Sequence, residues 1–474
     1  MTRPLEETVR LRHIALPLLA TKGIGLANLR RSLGAIEAFG FSLSIIAPTL
    51  AMAFTTTLTA QSAGRAAPLS YLIGGIIMTL VALSFVAFSR RIAHAGSVYA
   101  YVGSVFGSRC GFVAGWALLL TYVTLLDGST ALVGSFAAAG LDHAGVEWPN
   151  LWLFVAVLAA LFSVWLACRD MRLAARLMLA LEAVSILAIM FLAIVILMRV
   201  PLSLLPFKPE PGYGWTGIGY GIVFAVLSFS GFEGATTLGE ETKNPGRSVP
   251  KAVVGTLILA VLFYVLVSYA QVVGYGPDHV DELSRASAPL DELSTRFISE
   301  AYAGFLDFAA ATSALACAIG SLSAAARMSY ALSRAGLAPD LAEVDAKHGT
   351  PARSIVVIGA VNLACLLLWG ARSAAADYSG NIITIGTLAL ILVYISVTLA
   401  QAAGAFRSRL AIWWAIGALG SMLLLWPLAN SLYPAPPWPG NVWPYVVVGW
   451  LALGTLLAFF RPSVARILVR ASDG

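Results

Sequence analysis

The sequence predicts an all-α membrane protein with 12 transmembrane helices. Helices 1–10 are expected to form a 5+5 inverted repeat with broken helices 1 and 6, and two C-terminal helices are appended. Three observations lead there. The 474 residues are 59% hydrophobic and only 11% charged, with a mean hydropathy of +0.84, which excludes an ordinary water-soluble enzyme. Apolar runs long enough to cross a bilayer recur along the chain. Two of these runs, five apart, are interrupted at mid-depth, the pattern of a binding site built between two repeats.

The runs fall near residues 33–62, 67–89, 100–140, 150–168, 173–199, 217–240, 250–275, 302–333, 353–370, 381–404, 408–430 and 442–460. The longest polar stretch, about 276–300, is too short to hold a core, so no separate soluble domain is expected. With both termini inside, 24 of the 30 Lys and Arg residues lie in the N-terminal tail and alternate loops. The outward loops hold the other six: Arg65, Arg199, Lys208, Arg285, Arg296 and Arg372. That asymmetry fits an even number of spans, and an odd number would scramble it. Trp148, Trp152, Trp215, Trp438 and Trp443 fall on the outer side, suited to an interfacial belt. The pI near 9.2 therefore reports topology; the partner expected is the lipid bilayer, not nucleic acid. Oligomeric state is not legible. No cleavable signal peptide is expected, because the first apolar run follows a tail with six basic side chains and is too long for a signal core. Cys110, Cys168, Cys317 and Cys365 lack metal-type spacing and read as small apolar fillers.

The sharper break is Phe229-Ser-Gly-Phe-Glu-Gly-Ala235 in the sixth run. Two glycines and a carboxylate weaken a helix at mid-membrane and leave backbone groups that hydrocarbon cannot satisfy. Such a break is tolerable where it lines a cavity and the freed groups bind something. A packing glycine pair with a snorkelling glutamate is the alternative. In the first run, Pro48 removes an N–H and clashes with the carbonyl four residues back; a kinked but continuous helix is the alternative there. Helix polarity then defines the chemistry. The outer half of span 1 begins at Pro48, turning the N–H groups of Thr49, Leu50 and Ala51 towards the gap, where a carboxylate is favoured. The outer half of span 6 ends near Ser230 and offers the carbonyls of Leu227, Ser228 and Ser230 to an ammonium group. Ends of opposite polarity at one depth make a zwitterion site, and α-amino acids are the commonest zwitterions of that size.

The run Phe229-Ser-Gly-Phe-Glu-Gly-Ala-Thr-Thr-Leu-Gly-Glu-Glu-Thr-Lys-Asn-Pro-Gly-Arg-Ser-Val-Pro-Lys-Ala252 resembles the sixth-span signature of the amino acid–polyamine–organocation (APC) permeases. His94-Ala-Gly-Ser-Val-Tyr-Ala-Tyr-Val102, with Gly115-Trp116, is similar to the approach to span 3 in that family. Ala324–Pro339, followed by Gly349-Thr-Pro351, is similar to its span 8 exit. The resemblance covers roughly residues 30–460 and implies the LeuT-type fold, with substrate held between spans 1, 3, 6 and 8. On that reading residues 1–32 are a cytoplasmic tail and 33–404 the transport core, with repeats near 33–199 and 217–404. Residues 405–461 are helices 11 and 12, and 462–474 a second cytoplasmic tail. Many relatives have a glycine-rich break in span 1 where this chain has Ala47-Pro48-Thr49, so one N–H donor is missing and the Thr49 hydroxyl is its expected substitute. Aromatic gates that some relatives place at Leu227 and near Ser321 are smaller here, which leaves room for a bulkier side chain or a weaker gate. The expected substrate is a neutral, apolar or aromatic amino acid, bound by Ile46, Ala47, Pro48, Thr49, Leu227, Phe229, Ser230, Gly231, Phe232 and Ser321.

Charges inside spans are functional suspects because burying them is costly. Glu182 in span 5, Glu233 at the break and Asp127 in span 3 are the candidates for proton coupling or gating, with Asp307 and Glu37 nearer span ends. In some proton-coupled relatives a titratable span 5 side chain stands where others bind sodium, and Glu182 falls near that stretch. Packing for Glu182, helix capping for Glu233 and a polar helix contact for Asp127 are the alternatives. Sodium would need hydroxyls from Ser321 and Ser323; a proton is the coupling ion expected, with no cofactor and no metal. Glu240, Glu241, Lys243, Arg247, Arg327 and Arg334 read as a charged inner hinge and salt-bridge gate or as solvated loop charges, Pro250 as first-turn residue of span 7, and 289–299 as an amphipathic outer lid. No HExxH, GxSxG, paired intramembrane aspartates or His-rich cluster points to an enzyme. The expectation is a secondary amino acid transporter working by alternating access as a proton symporter in a bacterial inner membrane. An exchanger or a non-transporting sensor are the alternatives.

Overall fold

The computed structural model describes residues 29–460 except 144, 147, 170, 287 and 434–436, so most of the first predicted tail and all of the second lie outside the described residues. In chain order the helices are α1 (Ala35–Ile46), α2 (Pro48–Ala63), α3 (Ala67–Ser89), α4 (Val98–Phe106), α5 (Ser108–Asp142), α6 (Leu151–Ala167), α7 (Met171–Arg199), α8 (Gly214–Ser228), α9 (Pro245–Tyr275), α10 (Val280–Arg285), α11 (Pro289–Phe297), α12 (Glu300–Arg334), α13 (Ala352–Leu368), α14 (Ala375–Arg407), α15 (Ala411–Leu432) and α16 (Trp443–Phe460). Among the described residues there is no strand, only an isolated bridge between Leu33 and Thr242. Nine helical segments among the described residues are long and apolar enough to cross a bilayer. The first of them, Ala35–Ser89, contains the first two predicted runs, while α6 and α8 are apolar but shorter.

Several predicted limits move. The run near 100–140 is two helices, α4 and α5, parted at Gly107. The run near 217–240 is α-helical only to Ser228; a turn and a 3₁₀ segment, Gly234–Leu238, replace the rest. Pro250 is not in the first turn of its helix, because Pro245 takes that position: Asn244, at φ 49°, ends the preceding turn, and a proline leaves no N–H unpaired at a helix start. The expected outer amphipathic helix is α11, preceded by the shorter α10.

Helices α5 and α12, each 35 residues, lie against one another at the centre. In both, 78% of the most apolar stretch is buried, against 28% in α15 and 22% in α16. The peripheral helices turn large apolar side chains outward, including Leu187, Ile258, Leu262, Met422, Val448 and Phe459. A surface this apolar belongs in lipid. Small residues let the inner helices close up, as where Gly128 and Gly386 bring α5 and α14 together. Trp116 of α5 stacks on Trp450 of α16 at 4.4 Å, and each indole N–H donates to the other's carbonyl, at 2.9 and 2.8 Å.

Candidate functional site

The first break is at Ala47. Its φ of 44° ends α1, and Pro48 starts α2 as first-turn residue. Ala47 N–H still donates to Leu43 O, but no proline N–H follows to continue the ladder. The second break follows α8, where Gly231 has φ 103° and sits so close to α1 that an added Cβ would stand 2.4 Å from Ile45 Cγ2. Only glycine combines that backbone conformation with that approach. The two breaks therefore pack directly on one another.

Not every backbone group the sequence offered is free. Ala51 N–H donates to Ala47 O at 2.9 Å, because the residue-47 carbonyl already belongs to α2. Ser228 O accepts from Tyr264 Oη at 2.6 Å, and Leu227 O accepts from both Ser230 N–H and Ser230 Oγ. Those three groups are thus removed from the predicted ligand set. Thr49 N–H and Ser230 O remain without a hydrogen bond among the described residues, and Thr49 Oγ1 is fully buried with no partner at all. A buried hydroxyl left unpaired costs about 1–3 kcal/mol, so it marks a place where something else completes the set.

Glu182 of α7, fully buried, reaches this break through one side chain. Ser313 Oγ of α12 donates to Glu182 Oε1 at 2.9 Å and accepts from Leu50 N–H at 3.4 Å. Cys317, one turn further along α12, donates to Ile45 O at 3.2 Å, accepts from Ser129 of α5, and lies 3.8 Å from Ser321 Oγ. It is therefore part of the polar lining of the break and not an apolar filler. Sequence reasoning missed Ser313 and Cys317, although Ser313, Cys317 and Ser321 repeat every four residues and so mark one face of α12. It missed Tyr264 as well, which no local pattern announces.

The remaining candidates divide. Glu233 accepts from Tyr122 Oη at 3.0 Å, from Tyr394 Oη at 2.7 Å and from Gly231 N–H at 3.1 Å, the geometry of a cap that fixes the turn. Phe229 packs on Tyr264 and against α3, and Phe232 on Phe85 and Tyr394, so their side chains anchor the break while their backbone forms it. Ser42 adds a second anchor, donating to Phe232 O and accepting from Ala235 N–H. Asp127 is not brought to the break: it accepts from Asn362 of α13 at 2.7 Å, because its side of α5 faces α13 and α14. Around Ala47 and Leu50 the packing partners are aliphatic or aromatic: Leu132, Val133, Phe136, Leu227 and Ile383. Ile46 is buried in the main core.

A sequence profile of the amino acid permease family matches residues 41–448. The chain belongs to the amino acid permease family. A branched-chain amino acid permease of Bacillus subtilis is 26% identical over 400 residues, which cover 79% of this chain and 81% of that protein. A methylthioribose transporter of the same organism is 25% identical over 463 residues, covering 91% and 93%. A low-affinity putrescine importer of Escherichia coli is 26% identical over 315 residues, covering 62% and 66%. The chain is thus a multi-pass membrane permease and not an enzyme.

The permease has a second polar cluster about 21 Å further along α12, at 1.5 Å per residue from Ser313 to Arg327. Arg327 Nε and Nη2 donate to the two Glu241 oxygens at 2.5 and 2.9 Å, with Arg327 0% and Glu241 2% exposed. Glu241 O also accepts from Ser32 and Leu33 N–H. Beside this pair Arg334 binds Glu240 at 2.6 and 3.1 Å, and Glu240 accepts from Ala95 N–H. These charges are thus locked in pairs between α12 and the segment after the second break. Burial pulls the His94 imidazole down to about 4, and the Arg334 charge adds to this against the opposing pull of Glu240.

Proposed function

We propose that this permease carries a neutral, apolar amino acid of the branched-chain kind across the membrane, in symport with a proton held by Glu182. The observation that carries the reading is the pair of opposed helix breaks. Thr49 N–H and Oγ1 stand unpaired at one and Ser230 O at the other. The first two are donors for a carboxylate, and the last is an acceptor for an ammonium group. The apolar side chains packed there, Leu132, Val133, Phe136, Leu227 and Ile383, suit an apolar substrate side chain, and the nearby carboxylate of Glu182 is assigned to the proton. The name of the Bacillus subtilis relative agrees with that lining.

The reading assigns twelve spans: α1 with α2, α3, α5, α6, α7, α8 with the turn after it, α9, α12, α13, α14, α15 and α16. Spans 1–5 and 6–10 are inverted repeats of the LeuT type. Two symmetries support this: breaks in spans 1 and 6, and 35-residue helices in spans 3 and 8. Both termini lie in the cytoplasm of a bacterial cell, with α10 and α11 on the outer face. Alternating access would then open the Arg327–Glu241 cluster as the inner gate.

The direct experiment is uptake by proteoliposomes from a panel of labelled substrates, with and without an inward proton gradient. Valine, leucine or isoleucine should enter, faster with the gradient. Uptake of putrescine, arginine or methylthioribose in their place would refute the substrate reading. Movement only against amino acid trapped inside would make the protein an exchanger, and binding without movement a sensor.

A further inference from the structure

The end of α5, the short helix α11 and the first turns of α12 meet at a cluster that substrate and proton transfer do not use. His143 Nε2 lies 3.4 Å from Asp291 Oδ2 and 3.6 Å from Asp307 Oδ2, and His143 Nδ1 lies 3.9 Å from Glu300 Oε1. The donor atoms of His143, Asp291 and Asp307 all fall within 4.8 Å of one another. Asp307 is only 5% exposed, and its Oδ2, turned to the imidazole, has no hydrogen-bond partner among the described residues.

An imidazole alone accounts for this poorly. One Nε2–H is directed at one acceptor, yet two carboxylate oxygens from different helices converge on the same nitrogen. Two like charges that close repel, and a buried unpaired carboxylate oxygen adds a desolvation penalty. A divalent ion removes both costs at once. Nitrogen and oxygen ligands stand about 2.0–2.2 Å from Zn²⁺ in a tetrahedral site, which places neighbouring ligand atoms about 3.4 Å apart. The two His143–Asp separations are already 3.4 and 3.6 Å, and the Asp291 and Asp307 ligand atoms lie within 4.8 Å of one another. One imidazole with two carboxylates suits a borderline transition metal better than Ca²⁺ or Mg²⁺, which prefer oxygen alone.

We propose that His143, Asp291 and Asp307 form a divalent transition-metal site, for Zn²⁺ by its donor set, that fastens α11 to α5 and α12. The remaining coordination position would face water, beside the exposed Glu300. Helix α11 is also held at its end by Arg199, which donates to Phe297 O, and by Tyr275, which donates to Glu292 at 2.6 Å. The metal would add a tie at Asp291, in the first turn of α11.

The test is equilibrium binding of Zn²⁺ to the purified full-length protein in detergent at neutral pH. The wild type should bind one Zn²⁺ per chain, and His143→Ala and Asp291→Asn should each weaken binding by at least about tenfold. Asp291→Asn keeps the shape of the side chain, so a folding defect is not the expected cause, and elution as a single species checks it. His279→Ala, beside α10, should bind as the wild type does. Absence of saturable binding in the wild type, or affinity unchanged in either variant, would overturn the proposal.

Discussion

Two buried polar clusters sit on the same helix, α12: in one, two opposite charges pair with each other, and in the other a lone carboxylate, Glu182, is met by hydroxyls. Around Arg327 the guanidinium and the Glu241 carboxylate meet in a two-pronged pair, and Glu241 O takes two backbone donors besides. Around Ser313 and Cys317 the protein satisfies Glu182, Leu50 N–H and Ile45 O, then stops, leaving Thr49 Oγ1 buried and alone. The paired charges hold this closed arrangement together, and the orphan Thr49 hydroxyl at the break is where the proposed substrate would bind. The same substitution logic should therefore read out as stability in the first and as function in the second.

The largest effect is expected at the completed cluster. Arg327→Ala leaves Glu241 charged and buried without a partner, and should destabilise the permease by about 3–5 kcal/mol. Thermal unfolding in detergent measures this, and replacing both residues by methionine should recover most of the loss. A midpoint within a degree or two of the wild type for Arg327→Ala would erase the contrast.

Thr49→Val should do the reverse. It removes an unpaired hydroxyl while keeping the volume, so stability should hold or rise by up to about 1 kcal/mol. Loss of a hydrogen bond to a substrate carboxylate, about 1.5 kcal/mol, should raise KM for uptake roughly tenfold. Equal KM in the variant would mean that the orphan hydroxyl does not face substrate.

A pH-dependent effect is expected at His94. Its Nδ1 accepts from Gly96 N–H at 2.8 Å, which needs the unprotonated nitrogen. With the imidazole held at about 4 against an ordinary 6.5, the unfolded chain takes up a proton that the folded one refuses. This contribution is complete above pH 6.5 and is lost as pH falls from there towards 4. His94→Gln should flatten that part of the stability–pH curve, measured by thermal midpoints.

Much of this contrast was legible in the chain itself. Pro48 and the Gly231–Glu233 run announce both breaks, because each residue breaks a local rule of helix building. Arg327 and Glu241 were legible as a salt-bridge gate or as solvated loop charges; which acid each arginine takes, and that this pair is buried, depends on two segments 86 residues apart. The carbonyls of Leu227 and Ser228 looked free because the partner that takes one, Tyr264, is an ordinary tyrosine in an apolar helix. Asp127 and Glu182 look alike as lone carboxylates in apolar runs. Only packing decides that one faces Asn362 and the other Ser313 and the break.

That last distinction carries the central claim, that Glu182 holds the coupled proton beside the incomplete site. The most direct measurement compares wild type and Glu182→Gln in proteoliposomes, following gradient-driven uptake and exchange of the same labelled branched-chain amino acid. Glutamine can still accept from Ser313, so the fold and the binding site should survive. The account predicts that exchange persists while stimulation by an inward proton gradient disappears. Stimulation equal to that of the wild type in Glu182→Gln would contradict it.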